Sequence, residues 1–178
     1  MNDNPLIRIE NLKKHFHSGK HIVKAIDGVS LEIMQGETLG LVGESGCGKS
    51  TLARTLLKLG KADSGSVYYK GIDIFALPSQ EMKAMRRNIQ IIFQDPYASL
   101  NPRMTVGEII GEPIDIHQLS KGKARLLRIQ ELLELVGLRQ EHMSRFPHEF
   151  SGGQRQRIGI ARALAVEPQF IICDEAIS

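Results

Sequence analysis

The sequence predicts an α/β fold with an antiparallel β layer near its N-terminus and a helical insertion in its core. Three observations lead to this prediction. An apolar strand at residues 38–42, a glycine-rich loop and a helix at residues 49–59 follow one another directly. Two further apolar segments, residues 89–93 and 170–173, each have the length and composition of a buried strand. Between them, residues 100–150 are rich in Glu, Lys, Arg, Leu and Met, which predicts helices.

The antiparallel layer is predicted from residues 6–12 and 22–33, which both resemble strands. Turn residues occupy positions 18–20, and Asp27-Gly28 predicts a second turn. Phe16 precedes the first of these turns. An aromatic ring there could stack on an adenine base. On spacing alone, a partly buried hairpin aromatic is the favoured interpretation of Phe16.

The glycine-rich loop fits the phosphate-loop pattern G-x-x-x-x-G-K-[ST] at every fixed position. Its residues are Gly43, Glu44, Ser45, Gly46, Cys47, Gly48, Lys49, Ser50 and Thr51. Glycines let the backbone N–H groups approach phosphate oxygens that a Cβ would keep away. We expect Lys49 to bind the β and γ phosphates of a nucleotide and the Ser50 hydroxyl to bind Mg²⁺. The dipole of the following helix favours the same anion.

One more polar group of interest lies just before the stretch predicted to be helical. Gln94 follows the strand at residues 89–93, where its amide could meet a metal or a water, or serve only as a turn amide. Both interpretations remain open on the residues alone. Within the insertion, residues 123–136 place apolar side chains on one predicted helical face, namely Leu126, Leu127, Ile129, Leu132, Leu133 and Val136.

A helix start and an acidic strand end complete the set of candidate site residues. Ser151 is a predicted N-cap, and Gly152 and Gly153 after it leave the first-turn N–H groups open to an anion. The apolar strand at the C-terminal end of the chain runs into Asp174 and Glu175. We expect Asp174 to hold Mg²⁺ through water and Glu175 to accept the proton of an attacking water.

Composition excludes several classes of protein. The net charge is +3 over 178 residues with no clustered basic stripe, so no nucleic-acid partner is predicted. The two cysteines, Cys47 and Cys173, lie far apart in sequence and predict neither a disulfide framework nor a metal motif. We find no signal peptide and no apolar run long enough to cross a bilayer. A cytosolic protein that can dock on a membrane protein is predicted.

In this order, the motifs resemble those of the ABC-type ATPases, the nucleotide-binding subunits of ABC transporters. Residues 43–51 resemble the Walker A loop and Gln94 resembles the Q-loop glutamine. The signature motif is matched by Ser151, Gly152, Gly153, Gln154 and Arg155. Residues 171–175 resemble the Walker B strand, with Glu175 as its catalytic glutamate. By the same resemblance Phe16 takes the place of the adenine-stacking aromatic, which reverses the interpretation from spacing.

The resemblance implies ATP and Mg²⁺ as cofactors. It implies that Gln94 and Glu175 act in catalysis and that Ser50, Gln94 and Asp174 form the metal site. It further implies a head-to-tail pair with a second ABC ATPase subunit, a related chain being favoured. In such a pair, the Ser151 to Gln154 segment of one subunit contacts the ATP held by the phosphate loop of the other.

Two segments narrow the resemblance to one branch. Residues 93–104 and 146–150 look like the corresponding segments in ATPases of dipeptide, oligopeptide and nickel importers. The implied function is an ATP-binding and hydrolysing motor subunit of an ABC importer, for di- or oligopeptides. The implied partners are membrane-spanning permease subunits, which would hold the chain peripherally on the inner face of the cell membrane. The solute itself is not chosen by a motor subunit of this type.

The resemblance also implies an incomplete domain. Residues 1–178 would form one ABC ATPase domain that lacks the C-terminal part of its core. Residues 1–99 would be the β layer and the first part of the nucleotide-binding core, 100–150 the helical subdomain, and 151–178 the signature helix and Walker B strand. Family members continue with a further core strand beside the phosphate-loop strand and with a switch histidine. We therefore expect the isolated chain to fold poorly and to hydrolyse ATP negligibly.

Two alternatives remain at this point. The chain could be a truncated, non-hydrolysing remnant that binds nucleotide without turnover. An ABC ATPase of DNA repair or translation is less favoured, because such proteins usually carry long insertions or a second cassette, and neither fits in 178 residues.

Overall fold

The computed structural model describes residues 4–19 and 21–174. The chain divides into two compact units, Met1–Met82 and Lys83–Ser178. The first unit is built on an antiparallel sheet and the second on helices around a short parallel sheet. The N-terminal antiparallel layer and the helical insertion predicted from the sequence are therefore both present.

The sheet of the first unit has four strands in the order β2-β1-β3-β4. They are β1 (Ile7–Ser18), β2 (His21–Ile33), β3 (Ser64–Tyr69) and β4 (Ile72–Asp73). All neighbours are antiparallel. Alternate residues of the two central strands point into the core, where Ile7, Ile9, Leu12 and Val67 are almost fully buried.

Three register shifts interrupt the ladder between β1 and β2, and in two of them β2 carries the extra residue of a β-bulge. In the first, Leu12 pairs with Val29 and Lys13 pairs with Asp27, so that Gly28 is the extra residue. Gly28 has φ 80°, a conformation that glycine adopts without strain. The turn predicted at Asp27-Gly28 is therefore wrong, because the glycine supplies a bulge within a continuous strand. In the second bulge, Ala25 is the extra residue, since Lys14 pairs with Ile26 and His15 with Lys24.

The helix after the phosphate loop forms as predicted, but the strand before the loop does not. Helix α1 spans Lys49–Leu56. Residues 38–44 adopt no regular structure and pair with no strand in the described part of the chain. Val42 is 91% exposed. The prediction of a buried strand at residues 38–42 is wrong here, because an apolar segment becomes a strand only where a neighbouring strand takes up its N–H and C=O groups.

The second unit contains a parallel pair of strands, β5 (Ile89–Ile92) and β6 (Phe170–Cys173). Its helices are α3 (Pro96–Ser99), α4 (Val106–Ile116), α5 (Gly122–Leu135) and α6 (Gly152–Leu164), with two short 3-10 helices at Gln140–Ser144 and Pro147–Glu149. Another short helix, α2 (Ser79–Met85), precedes β5.

Helices α4, α5 and α6 share one hydrophobic core. Its fully buried side chains come from all three helices and include Ile110, Leu133 and Ile158. A capping box fixes the start of α4, because Thr105 and Glu108 each accept a hydrogen bond from the other's backbone N–H. The predicted apolar face of α5 is only partly correct. Ile129, Leu132 and Leu133 are buried there, whereas Leu126 and Leu127 are 41% and 47% exposed.

No helix among residues 4–19 and 21–174 combines the length and the apolar character that crossing a membrane requires.

Candidate functional site

The phosphate loop turns on two glycines with positive φ. Gly46 has φ 81° and Gly48 has φ 102°. A Cβ at Gly46 would meet open space, but a Cβ at Gly48 would overlap the backbone carbonyl oxygen of Ala25. Ala25 is the extra residue of the second bulge in β2, which leaves its carbonyl group outside the β1–β2 ladder. The bulge and the glycine therefore fit one another, and this contact fixes where α1 begins.

Lys49 lies across the mouth of the loop. Its Nζ donates hydrogen bonds to the carbonyl oxygens of Gly43, at 2.8 Å, and Glu44, at 2.9 Å. The ammonium group is thus held at the start of the loop, next to the glycine-lined turn. Gly48 occupies the N-cap position of α1 and has no side chain to bond the first-turn N–H groups. A lysine and an uncapped helix start at one turn form an arrangement suited to a phosphate group.

Cys47 explains why position 43 is a glycine. A Cβ built on Gly43 would lie 2.7 Å from the Cys47 Sγ. The cysteine is exposed and unoxidised, and its sulfur lies 3.9 Å from the Lys49 Nζ. The remaining loop residues, Glu44 and Ser45, are exposed, whereas Ser50 and Thr51 are half-buried in the first turn of α1.

Phe16 projects from β1 with its ring 48% exposed. The Lys14 Nζ lies over the ring, 5.3 Å from its centroid, and forms an ion pair with Asp63 at 3.2 Å. The ring is therefore accessible to a flat ligand, and a cation adjoins it. Because almost half of the side chain is exposed, packing into the core does not account for an aromatic residue at this position.

In the second unit, the parallel strands bring Gln94 and Asp174 to the same edge. Both follow the carboxyl end of their strand, and the Asp174 N–H donates a hydrogen bond of 3.0 Å to the Ile92 carbonyl oxygen. Asp174 is only 6% exposed, whereas Gln94 is exposed. The carboxyl edge of a parallel sheet is where α/β proteins bind ligands. Glu175, the predicted catalytic residue, lies outside the described residues, and Ser50 belongs to the other compact unit.

The predicted signature segment begins α6 with a capping box. The Ser151 Oγ accepts a hydrogen bond from the Gln154 N–H at 3.3 Å, and the Gln154 Oε1 accepts one from the Ser151 N–H at 3.0 Å. Gly152 and Gly153 form the first turn, and a Cβ at either position would meet open space. Their lack of side chains is thus not required by packing within the described residues, which leaves the helix start bare toward a ligand or another molecule.

The sequence analysis placed Arg155 in the signature motif without predicting its contacts, and it missed Arg162, also in α6. The Arg155 guanidinium lies 3.9 Å from the centroid of the Tyr97 ring, and its Nε donates to the Pro147 carbonyl oxygen at 2.7 Å. About two helical turns further on, the Arg162 Nη1 donates to the Ser99 carbonyl oxygen at 2.6 Å, and burial lowers the pKa of this guanidinium. Both arginines therefore hold α3, the segment that follows Gln94. Their spacing of seven residues places them on one face of the helix, which is the only signal the sequence offers.

The glycine-turned loop at a helix start in the first unit and the buried carboxylate at the edge of a parallel sheet in the second are each typical of α/β proteins that bind phosphate groups. Comparison with known proteins is more specific. The family described as ABC transporter matches residues 26–178 of this chain. The chain belongs to the ABC transporter family.

The curated relatives have consistent names. The oligopeptide transport ATP-binding protein OppF of Bacillus subtilis (strain 168) is 58% identical over 97% of this chain and 57% of its own length. The protein of the same name from Streptococcus mutans is 54% identical over 99% of this chain and 58% of its own length. This chain therefore spans somewhat more than half the length of the curated relatives it matches.

Solved structures confirm the fold class. The ATP-binding cassette MJ0796, solved as a dimer in a post-hydrolysis state bound to ADP and Pi, is 33% identical and superposes with a TM-score of 0.86. That match covers 94% of this chain and 72% of the other. The predicted ABC ATPase core is thus confirmed as the fold. Nucleotide binding is the property that the family implies for the site described above.

Proposed function

We propose that this chain is the ATP-binding and hydrolysing motor subunit of an ABC importer for oligopeptides. The observation that carries the proposal is the phosphate loop, in which Lys49 spans the loop mouth at the uncapped start of α1. The names of the relatives, which are oligopeptide transport ATP-binding proteins, supply the solute class. Di- and oligopeptides are both compatible with this class of importer.

The phosphate loop would hold the triphosphate of ATP. The N–H groups of residues 43–51 would approach the phosphate oxygens, since glycine removes the side chains at the two tightest turns. Lys49 would exchange its bonds to the Gly43 and Glu44 carbonyl oxygens for bonds to the β and γ phosphates. Because the lysine already lies at the loop, this exchange requires only a movement of its side-chain end.

The adenine base would stack on Phe16. The ring is on the surface of the same compact unit as the loop and is about half exposed. Stacking of a base on an aromatic ring contributes on the order of 1 to 3 kcal/mol without reading the identity of the base. The resemblance that assigns this role to Phe16 is thus compatible with the exposure of its side chain.

We propose for polar side chains of this chain the metal-binding and water-activating roles that the resemblance implies. Mg²⁺ bound with ATP would neutralise the developing charge on the phosphates. The groups that would hold the ion are the Ser50 hydroxyl, the Gln94 amide and the Asp174 carboxylate. Their oxygen atoms are of the type that Mg²⁺ prefers. Glu175 would accept a proton from the water that attacks the γ phosphate.

Hydrolysis would require a second ATPase subunit. The start of α6 is exposed or half-buried, and two of its residues lack a Cβ. It consists of Ser151, Gly152, Gly153 and Gln154. We propose that this helix start contacts the ATP of a partner subunit in a head-to-tail pair. A dimeric structural relative supports the pairing. The pair would bind membrane-spanning permease subunits and lie on the inner face of the cell membrane.

Binding of ATP tests the core of this proposal. Lys49→Ala should weaken ATP binding about 10- to 100-fold, because a lost charge-assisted hydrogen-bond set contributes about 1.5 to 3 kcal/mol. Lys61→Ala removes an equal charge from an exposed position of the same unit and should leave binding unchanged. Glu175→Gln leaves the phosphate loop unchanged and should retain ATP binding. Equal affinities for Lys49→Ala and Lys61→Ala would contradict a phosphate site at this loop.

A further inference from the structure

Asp63 lies beside Phe16 in space although 47 positions separate the two residues in sequence. Its Oδ2 accepts a hydrogen bond from the His15 N–H at 2.5 Å, and its Oδ1 accepts one from the Lys14 Nζ at 3.2 Å. The Asp63 N–H in turn donates to the Lys13 carbonyl oxygen at 2.9 Å. One residue therefore makes three contacts to the three positions of β1 that immediately precede Phe16.

These contacts replace pairing that the strand lacks at this place. The β1–β3 ladder shifts register between Glu10 and Lys13, and β3 begins at Ser64, directly after Asp63. On the other side, β1 and β2 shift register between Lys14 and His15. The backbone before Phe16 is thus irregular on both sides, where ladder hydrogen bonds alone hold it less firmly. Asp63 holds the strand there through its carboxylate.

The charge of Asp63 also determines where Lys14 lies. Lys14 places its ammonium over one face of the Phe16 ring, 5.3 Å from the centroid, while the Asp63 carboxylate holds it. The hydrogen bond from the His15 backbone N–H, followed by that from the Lys14 side chain, lowers the pKa of Asp63, so the carboxylate is ionised at neutral pH. One face of the ring is therefore occupied by a cation held in place, which leaves the opposite face for a planar ligand.

We propose that Asp63 is a positioning residue for the nucleotide base: it fixes the backbone before Phe16 and holds Lys14 on one face of the ring, so that the base stacks on the other. This inference rests on the proposed function, since it needs ATP at the phosphate loop. Asp63 touches neither base nor phosphate. It acts through Phe16 and Lys14, and its effect is confined to the part of the ligand that stacks.

The test compares the affinities of the purified protein for two ligands. The non-hydrolysable ATP analogue AMP-PNP has both base and triphosphate, whereas inorganic tripolyphosphate has only the latter. Phe16→Ala should weaken AMP-PNP binding by about 5- to 150-fold, the range that loss of one stacked base corresponds to. Asp63→Ala should weaken AMP-PNP by at least about threefold and by no more than Phe16→Ala does. Neither variant should change the affinity for tripolyphosphate.

Matched variants separate positioning from general support of the fold. Asp73→Ala removes a carboxylate that accepts a backbone N–H bond of 2.8 Å from Phe75, away from β1, and should leave both affinities unchanged. Asp63→Asn keeps an acceptor for the His15 N–H but loses the charge, so its affinity for AMP-PNP should lie between wild type and Asp63→Ala. In a Phe16→Ala background, Asp63→Ala should cause no further loss, because both act on one contact.

Each other outcome overturns the inference. If Asp63→Ala weakens AMP-PNP and tripolyphosphate equally, the residue supports the loop or the fold and not the base. If Asp63→Ala weakens neither ligand, it positions nothing. Failure of the proposed function is recognised separately, by tripolyphosphate binding that does not respond to Lys49→Ala. In that case the phosphate site itself is absent, and the inference about Asp63 is overturned with it.

Discussion

The contact between Gly48 and the bulge in β2 leads to a quantitative prediction. Gly48→Ala forces an alanine into φ 102° and directs its Cβ at the Ala25 carbonyl oxygen. A non-glycine residue in such a conformation is destabilised by about 1 to 3 kcal/mol. The overlap with backbone adds a separate penalty, because inserting a group into a packed site costs typically about 1 to 3 kcal/mol. We expect a total loss of about 2 to 6 kcal/mol in the free energy of unfolding.

A comparison with Gly71→Ala separates the cost of the overlap with Ala25 from the cost of the backbone conformation. Gly71 has φ 81°, and a Cβ there would meet nothing within 4 Å. It lies in the same compact unit, in the turn between β3 and β4. Gly71→Ala should therefore cost only the conformational part, about 1 to 3 kcal/mol. The difference between the two variants measures the contact with Ala25.

Urea denaturation followed by circular dichroism gives both free energies of unfolding. Gly48→Ala should be less stable than Gly71→Ala by at least about 1 kcal/mol. It should also bind ATP more weakly, since the start of α1 must move away from β2. Equal stabilities of the two variants would refute the reasoning, because the Ala25 carbonyl would then not define the position of the loop.

Two further predictions concern the second unit. Ser151→Ala removes the capping box of α6 and should lower the free energy of unfolding by about 1 kcal/mol. Ser151→Asn can still cap the helix and should lower it by less. Equal losses for the two variants in urea melts would argue against the cap. The Arg125 guanidinium, 2.7 Å from Asp115 at both oxygens, lowers the pKa of that carboxyl group. This pair stabilises the fold above the ordinary Asp pKa, and its contribution is lost as pH falls through the lowered value. In urea melts from pH 7 to pH 2, the stability advantage of wild type over Asp115→Asn should therefore shrink toward acid pH; a constant difference would contradict it.

Local patterns in the sequence predicted much of the fold and the candidate site. The phosphate loop is contiguous, so its glycines, Lys49 and the following helix could be recognised together. Ser151 and Gln154 are three residues apart, and their mutual capping was partly expected from the serine alone. Gln94 and Asp174 each follow an apolar segment directly, so the position of each at a strand end could be predicted. Each of these depends on a few neighbouring residues.

Features that depend on distant partners were the ones that sequence reasoning missed. Residues 38–42 have the composition of a strand, but no described strand lies beside them, and composition carries no information on pairing. Gly28 has a positive φ, which turns and bulges can both require. The glycine alone therefore did not show that it lies in a bulge. The exposure of Leu126 and Leu127 depends on how α5 packs. Asp63 reaches β1 across 48 residues, which no local pattern encodes.

The two arginines of α6 have a mechanical consequence for the second unit. Arg155 stacks on Tyr97 and Arg162 donates to the Ser99 carbonyl oxygen, so α3 is attached to α6 near both of its ends. A hydrogen bond from a charged donor contributes about 1.5 to 3 kcal/mol, and separating the helices would remove it along with the stacking contact. A displacement of α3 would therefore act on α6 through both contacts, which join the helix that begins at Ser151 to the segment that follows Gln94.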